Sequence, residues 1–469
     1  MALLGYILKI YIRGKFIIMK KNNLRKLLLF AMSIAIVGSV FTGCSSSSSA
    51  SKSSTTTAFK DKAPKDYKGT INIWAYTDEL KSSHFIDQFN KEYPNIKVNL
   101  TVIPMDNNAY QTKLSSVLSS GSGAPDIFLS EVSMVNKYVN SPYYDDLSKA
   151  PYNAEDIAKK EAKYTVDLGR NAADKDIRAL SWQATPGGLF YKRSLAKEYL
   201  GTDDPTKISQ MFSSWDSLIA TGKELNEKSG GKVKLLPNYS ELFNIALGSR
   251  TKGWVVNNKL VIDDKMMQYI DVAKEVRNAG IDAKFNTWSA PWAASMAGAV
   301  NGTNVFCYAL PTWGLPFVIA SNAKKTSGDW GLAKAPAAYY NGGSWLGIYS
   351  KSENKELAWQ FVKFMNSKTF QTWDSKTNGD FSSMTEVSQQ FANSDEGNNA
   401  FCDGQNISKI YNQIVPSITG KLVTKYDETI NDKFQNDLDA YITGQKSKDD
   451  FLKQFRADVK TAFPDLNVN

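Results

Sequence analysis

The 469-residue sequence predicts an α/β fold whose first sheet is parallel. Three observations predict it. From residue 70 onward, stretches with a two-residue period alternate with stretches of helical period, in the order strand, helix, strand, helix, strand. Turn-forming residues, Pro94-Asn95 and Gly121-Ser122-Gly123, mark the changes of period. No repeat of 20–50 residues is present, which argues against a solenoid.

Taken in order, Thr70-Ile71-Asn72-Ile73-Trp74-Ala75 alternates as a strand. Asp78 stands where it can cap a helix running to Tyr93, with Phe85 and Phe89 four apart on the buried face. The single histidine, His84, falls inside that helix. Pro94-Asn95 breaks it, and Ile96, Val98, Leu100 and Val102 alternate as a second strand. A helix follows from about Asn108 to Ser119 and stops at the glycines, so Gly121-x-Gly123 is a turn. Pro125 to Leu129 is a third strand, with Asp126 tying the turn before it. Consecutive strands joined through helices imply right-handed crossovers, hence the parallel sheet. Farther along, Ser181 to Gly188 is a turn-rich break, and Leu357, Ala358, Phe361, Val362 and Met365 mark one apolar helix face.

The N-terminal region is an export signal. Lys20, Lys21, Arg25 and Lys26 precede an apolar run, Leu27 to Val40, shorter than the roughly 20 residues that span a bilayer. The run ends on Phe41-Thr42-Gly43-Cys44, which resembles a lipobox, although Phe41 stands where leucine is usual. The resemblance makes Cys44 a diacylated mature N-terminus and residues 1–43 a lipoprotein-type signal. Met19-Lys20-Lys21 opens a better-shaped signal than Met1, so both are candidate starts. Residues 44–67 form a Ser-rich flexible tether. Residues 1–43 hold seven basic side chains and no acid; without them 49 basic face 47 acidic residues, a net of +2. The overall excess of +9 therefore belongs mostly to the signal, and no electrostatic case for nucleic acid remains. With Cys44 assigned to lipid, Cys307 and Cys402 are either a disulfide or two free thiols.

The segments "GTINIWAYTDEL…FIDQFNKEYPNIKVNLTVIP…GAPDIFLSE", "PGGLFYKRSLAKEYLG" (186–201) and "WGLAKAPAAYYNGGSWLGIYSKSENKELAWQFVKFM" (330–365) resemble the extracellular solute-binding proteins of ABC importers. This is the bacterial family 1 that includes maltose- and oligosaccharide-binding members. The resemblance spans nearly all of 68–469. It implies a two-lobed, periplasmic-binding-protein-like (type II) fold with a ligand cleft between the lobes. By analogy the first lobe is 68–178 plus 302–345 and the second 179–301 plus 346–469. It also implies capture of a carbohydrate, an oligosaccharide by preference, and its delivery to ABC permease subunits. The chain would be a monomer on the outer membrane face, held to the bilayer by acylated Cys44, with no cofactor and no catalysis.

Enzymatic signatures are thin. Neither Gly-x-x-x-x-Gly-Lys-Ser/Thr nor a helix-opening Gly-x-Gly-x-x-Gly occurs, and one histidine cannot make a two-histidine zinc site. Asp145-Asp146, Asp203-Asp204 and Asp263-Asp264 sit in polar, turn-like stretches, where such pairs are solvated surface or helix caps. A glycosidase needs two carboxylates facing one bond, and nothing selects such a pair.

The 11 tryptophans, 22 tyrosines and 23 phenylalanines are more informative. A pyranose presents a C–H face that can lie on an indole, and hydroxyls that need planar partners such as carboxylates and amides. Trp74 and Tyr76 end the first strand, the edge where open α/β sheets hold ligands. Trp182 and Gln183 lie at the first crossover. Trp288 and Trp292 flank Pro291, Trp313 sits between prolines, and Trp345 follows Gly342-Gly343-Ser344. Glu131, just past the third strand, and Asp78 complete the candidate binding set, with the helix cap the competing role for Asp78. Trp215, Trp330, Trp359 and Trp373 read as packing or surface. The alternatives are a binding protein for a non-sugar solute and a secreted polysaccharide-degrading enzyme.

Overall fold

The structure, a computed structural model, describes residues 57–468 and, before them, only the short strand pair Tyr11–Ile12 with Lys15–Phe16. The signal and Cys44 lie outside the described residues. The C-terminal part of the expected tether is not free. Phe59 packs edge-on against Tyr152 at 5.6 Å, Lys62 pairs with Glu356 at 2.7 Å, and Tyr67 is buried. Aromatic residues explain this: unlike the serines before them, they gain by leaving water.

Two sheets organise the chain. Their strands are β1 Gly69–Ala75, β2 Ile96–Val102, β3 Ile127–Glu131, β4 Gly187–Lys192, β5 Val233–Lys234, β6 Asn304–Val305, β7 Cys307–Pro311, β8 Trp330–Ala333 and β9 Ser344–Ile348. The first sheet has the order β9-β3-β1-β2. As expected, β1 pairs in parallel with β2 and β3, while β9 returns antiparallel to β3, with Trp345 opposite Ser130. In the second sheet β4 lies between β7 and β8, antiparallel to both. The parallel pair β5 and β6 extends it, because Phe306 and Cys307 donate to Lys234 and Leu235 carbonyls at 2.8 and 2.9 Å.

Each sheet has its own core, and a third cluster joins them. Ile71, Ile73, Phe85, Phe89, Phe361 and Val362 cover one face of the first sheet. Helices Trp215–Lys228, Asp264–Asn278, Asp427–Ile442 and Lys448–Ala462 bury their apolar faces with the second. The joining cluster runs from Trp74, Phe128 and Trp345 to Phe190, Tyr308 and Leu310.

This pairing divides the chain differently from the analogy. Residues 307–311 and 330–333 pair with β4 and 304–305 with β5, all on the second sheet, so only β9 of the 302–345 segment joins the first. Helix Lys355–Met365, expected in the second lobe, covers the first sheet. It follows β9 at once, and its face of Ala358, Phe361 and Val362 finds the nearest apolar surface there.

The helix expected from Asp78 to Tyr93 is broken into Glu79–Ser82 and Phe85–Glu92. His84 is the break rather than an interior residue. It adopts left-handed φ 63°, and its exposed ring lies 2.8 Å from Asp87. Ser82, Ser83 and His84 are all mediocre helix formers, so little opposes the break. Asp78 makes no capping bond with its side chain. Asp126 ties its turn by accepting from Asn72 N–H at 2.8 Å and Ser352 Oγ at 2.6 Å. Cys307 and Cys402 are buried free thiols. Among the described residues, no helix is long and apolar enough to cross a membrane.

Glu161 is 6% exposed, and both its carboxylate oxygens lack hydrogen-bond partners. Burial pushes its pKa well above the ordinary value. The fold thus favours the neutral acid. This group's contribution to stability is complete below the ordinary glutamate value of about 4.3 and is lost as pH rises through the raised one. Glu161→Gln should stabilise the protein at pH 7.5 by at least ~1 kcal/mol and flatten the pH dependence of stability between pH 4.5 and 7.5. Urea denaturation across that range checks this; an unchanged slope would reject it.

Candidate functional site

Parallel β1 and β3 end at the same edge of the first sheet, and antiparallel β9 begins there. That geometry brings Tyr76, Glu131 and Ser344 together. The Tyr76 hydroxyl is 2.5 Å from Ser344 Oγ and donates to the Gly343 carbonyl at 3.4 Å. Its ring stands edge-on to Tyr110 at 5.9 Å. Burial, with the nearby Glu131 charge, pushes the Tyr76 hydroxyl well above its usual pKa, so it remains a donor. Glu131 is both the end of β3 and the N-cap of helix Val132–Val139, accepting from Ser133 N–H at 2.6 Å. Burial raises its pKa, and the capping bonds oppose that rise.

The backbone just before β9 links this edge to the second sheet. Gly342 and Gly343 hold φ of 74° and 107°, where side chains are strained. Thr185 Oγ1 donates to the Gly342 carbonyl at 3.0 Å, and Trp313 Nε1 donates to that of Asn341 at 3.0 Å. A Cβ on Gly342 would lie 2.6 Å from Trp313 Nε1. The glycine therefore lets the indole rest against the chain.

Trp313 in turn lies nearly parallel to Trp288, with 13° between planes and 6.2 Å between centroids. Trp288 is 67% exposed at a left-handed φ of 66°. Its other neighbour is Trp292, 5.0 Å away. Trp292 is buried and donates Nε1 to Glu241 at 2.7 Å. Burial pushes Glu241 up to about 7, against the bonds it accepts from Trp292, Ala309 N–H and Thr287. A fixed indole thus supports an exposed one.

Beside this edge, a cavity of about 190 Å³ is lined by Glu131, Arg250, Tyr340, Asn341, Asp427 and Glu428, among others. Tyr340 leans on Tyr164 at 5.0 Å. Arg250 is buried with Asp427 at 3.3 Å and lies over Trp254 at 5.4 Å. Aromatic faces and planar hydrogen-bonding groups therefore converge where the sheets meet. No group of three or more His, Cys, Asp or Glu suited to a metal ion occurs among the described residues.

Of the expected residues, Tyr76, Glu131, Trp288, Trp292 and Trp313 gather here. The others lie elsewhere. Trp345, 1% exposed, donates Nε1 to the Thr165 carbonyl at 2.9 Å inside the joining cluster. Trp74 is buried in that cluster under Lys113, 5.5 Å from its ring. Trp182, also 1% exposed, packs on Phe85, and Gln183 is buried where the chain pairs with Ser382. Asp78 is exposed at the start of its short helix. Sequence reasoning passed over Tyr340, Arg250, Asp427 and Glu428. Tyr340 carried a signal, an aromatic before two glycines; Arg250 and Asp427 stand 177 positions apart and carried none.

Two α/β sheets with the chain crossing between them, and a binding edge at their meeting, define a two-lobed ligand-capturing protein. The chain belongs to the bacterial extracellular solute-binding proteins, whose family model matches residues 75–372. It is similar to the crystal structure of an extracellular solute-binding protein of family 1, with a TM-score of 0.73 and 20% identity over 84% of this chain and 99% of that one. It is similar to the sugar-binding protein MalE of Xanthomonas citri, at 0.66 and 16% over 84% and 97%. It also resembles the ABC-transporter-associated binding protein of B. animalis subsp. lactis in complex with β-1,6-galactobiose, at 0.65 and 19% over 85% and 97%.

Gly342→Ala should force Trp313 away from the Asn341–Gly342 backbone. The strain and clash should together cost about 1–3 kcal/mol, and the tryptophan emission should shift. Thermal unfolding with fluorescence checks this; a variant matching the parent in both would show that Gly342 does not hold the indole.

Proposed function

We propose that this protein captures a carbohydrate, an oligosaccharide by preference, between its two lobes and hands it intact to the permease of an ABC importer. The observation that carries this reading is Trp288. It is the most exposed large hydrophobic side chain among the described residues, held out parallel to Trp313 and propped by Trp292. Such a face suits the C–H side of a pyranose. The adjoining cavity supplies carboxylates, an arginine, an amide and a phenol for its hydroxyls. The β-1,6-galactobiose bound by one of the similar structures points the same way.

Ligand contacts to both sides favour the closed state, and closure proceeds by hinge motion at the crossing segments. Ser181–Gly187 and Tyr339–Ser344 run between the sheets and are those segments. No chemical step is assigned to the chain. Acylation at Cys44 would hold the monomer on the outer face of the membrane, near its permease, and raise its effective concentration there.

Calorimetric titration of the mature chain, beginning after Cys44, against mono- and oligosaccharides tests the reading. A saturable one-to-one heat with the sugar recovered intact supports it. Trp288→Ala should then weaken binding about tenfold to a hundredfold, with thermal stability nearly unchanged because the ring is mostly exposed. Conversion of the sugar would make the protein an enzyme, and silence across the panel would sink carbohydrate as its ligand.

A further inference from the structure

A second cavity, about 290 Å³, lies farther along the chain from Trp313. Leu315 and Pro316 form one wall and the Asp380-Phe381 turn another. Phe391 and Tyr411, from helices Thr385–Ala392 and Ile407–Ile414, form the third. Its volume approaches the lower range of small-ligand pockets.

Tyr411 is 2% exposed, stands edge-on to Phe381 at 5.5 Å, and its hydroxyl has no hydrogen-bond partner. A buried hydroxyl left this way costs free energy until something completes it. Asp380, also buried, faces Trp182 and the Asp374 carboxyl. The other two charges in the lining, Lys376 and Glu396, pair with each other at 3.2 Å. The cavity thus offers one unpartnered phenol hydroxyl and aromatic walls, its Asp380 carboxyl engaged by Trp182 and Asp374, with no spare positive charge to attract an anion.

We propose that this cavity binds one neutral, hydroxyl-bearing ring, a single pyranose unit. The inference rests on the carbohydrate reading above and extends it to a place no aromatic-edge argument reaches. The same chemistry can come from a free monosaccharide or from the end of a longer chain lying past Trp313.

Two variants test it. Tyr411→Phe removes only the hydroxyl, and Ser408→Tyr fills the cavity from helix Ile407–Ile414. Both are titrated against the mono- to tetrasaccharides of whichever sugar the parent binds. They are also examined by saturation-transfer NMR with free hexoses, in the parent and in a Trp288→Ala background. Tyr411→Phe should weaken binding about threefold to tenfold, and Ser408→Tyr more. A loss confined to the longer saccharides marks the end of a chain. A loss confined to free hexose, persisting with Trp288→Ala, marks a separate monosaccharide site. If the parent binds sugar and both variants match it in both measurements, this proposal falls while the carbohydrate reading stands. If no sugar binds the parent at all, both fall.

Discussion

The chain must return from the second sheet to the first within the few residues between Tyr339 and Ser344, and that passage governs the site. It passes Thr185 and Trp313 on the way and arrives at Tyr76. Room for a Cβ does not exist at Gly342, and the φ values of both glycines lie where an L side chain is strained. With the backbone fixed there, three groups fall into place. Tyr76 is anchored from the first sheet, Trp313 is laid flat against the return, and Tyr340 is turned toward the cavity on its other side.

A division of labour among the aromatics follows. Trp74 and Trp345 are sealed in the cluster that joins the sheets and Trp182 in the core of the first, while Trp288 is exposed and Trp313 half-buried. Trp292 stands between these roles, buried yet in contact with the exposed ring. Its bond to Glu241 connects that ring to Ala309 N–H of β7. The exposed indole thus rests, through one side chain and one carboxyl group, on strand β7 of the second sheet. A platform so backed loses little freedom when a ligand settles on it, which is the physical meaning of preorganisation.

Much of this was legible in the sequence, and the exceptions have physical reasons. The two-residue and helical periods located β1, β2 and β3 because each strand buries one face or both, and burial is what periodicity records. The same logic cannot tell a tryptophan that lines an edge from one that lies beneath it. Trp345 follows two glycines as a ligand-facing residue would, yet the strand's alternation turns it inward onto Thr165. Ser344, one place earlier, is the side chain that reaches Tyr76. Arg250 and Asp427 escaped notice because their pairing is made by the fold alone. The division of 302–345 failed similarly, since which sheet a strand joins depends on partners far away in the chain.

The charges at the cavity explain how it can hold so many acids. Glu131, Asp427 and Glu428 share it with a single arginine. Asp427 is matched by Arg250 and by bonds from Thr424, although burial still raises its pKa. Glu131 is matched instead by the N-terminus of its own helix, whose free N–H groups favour negative charge. Glu428, which burial also pushes upward, has only the partial compensation of Lys137 and a bond with Gln111. For each of the three, burial raises the pKa while the bonds or charges beside it oppose the rise, and a carboxyl oxygen has lone pairs beyond those bonds to offer. A neutral ligand rich in hydroxyl donors can meet those lone pairs without bringing a charge of its own that the buried arginine or the carboxylates would have to accommodate. The same arrangement opposes an anionic ligand, because three carboxyl groups against one already-paired guanidinium leave no net attraction for it.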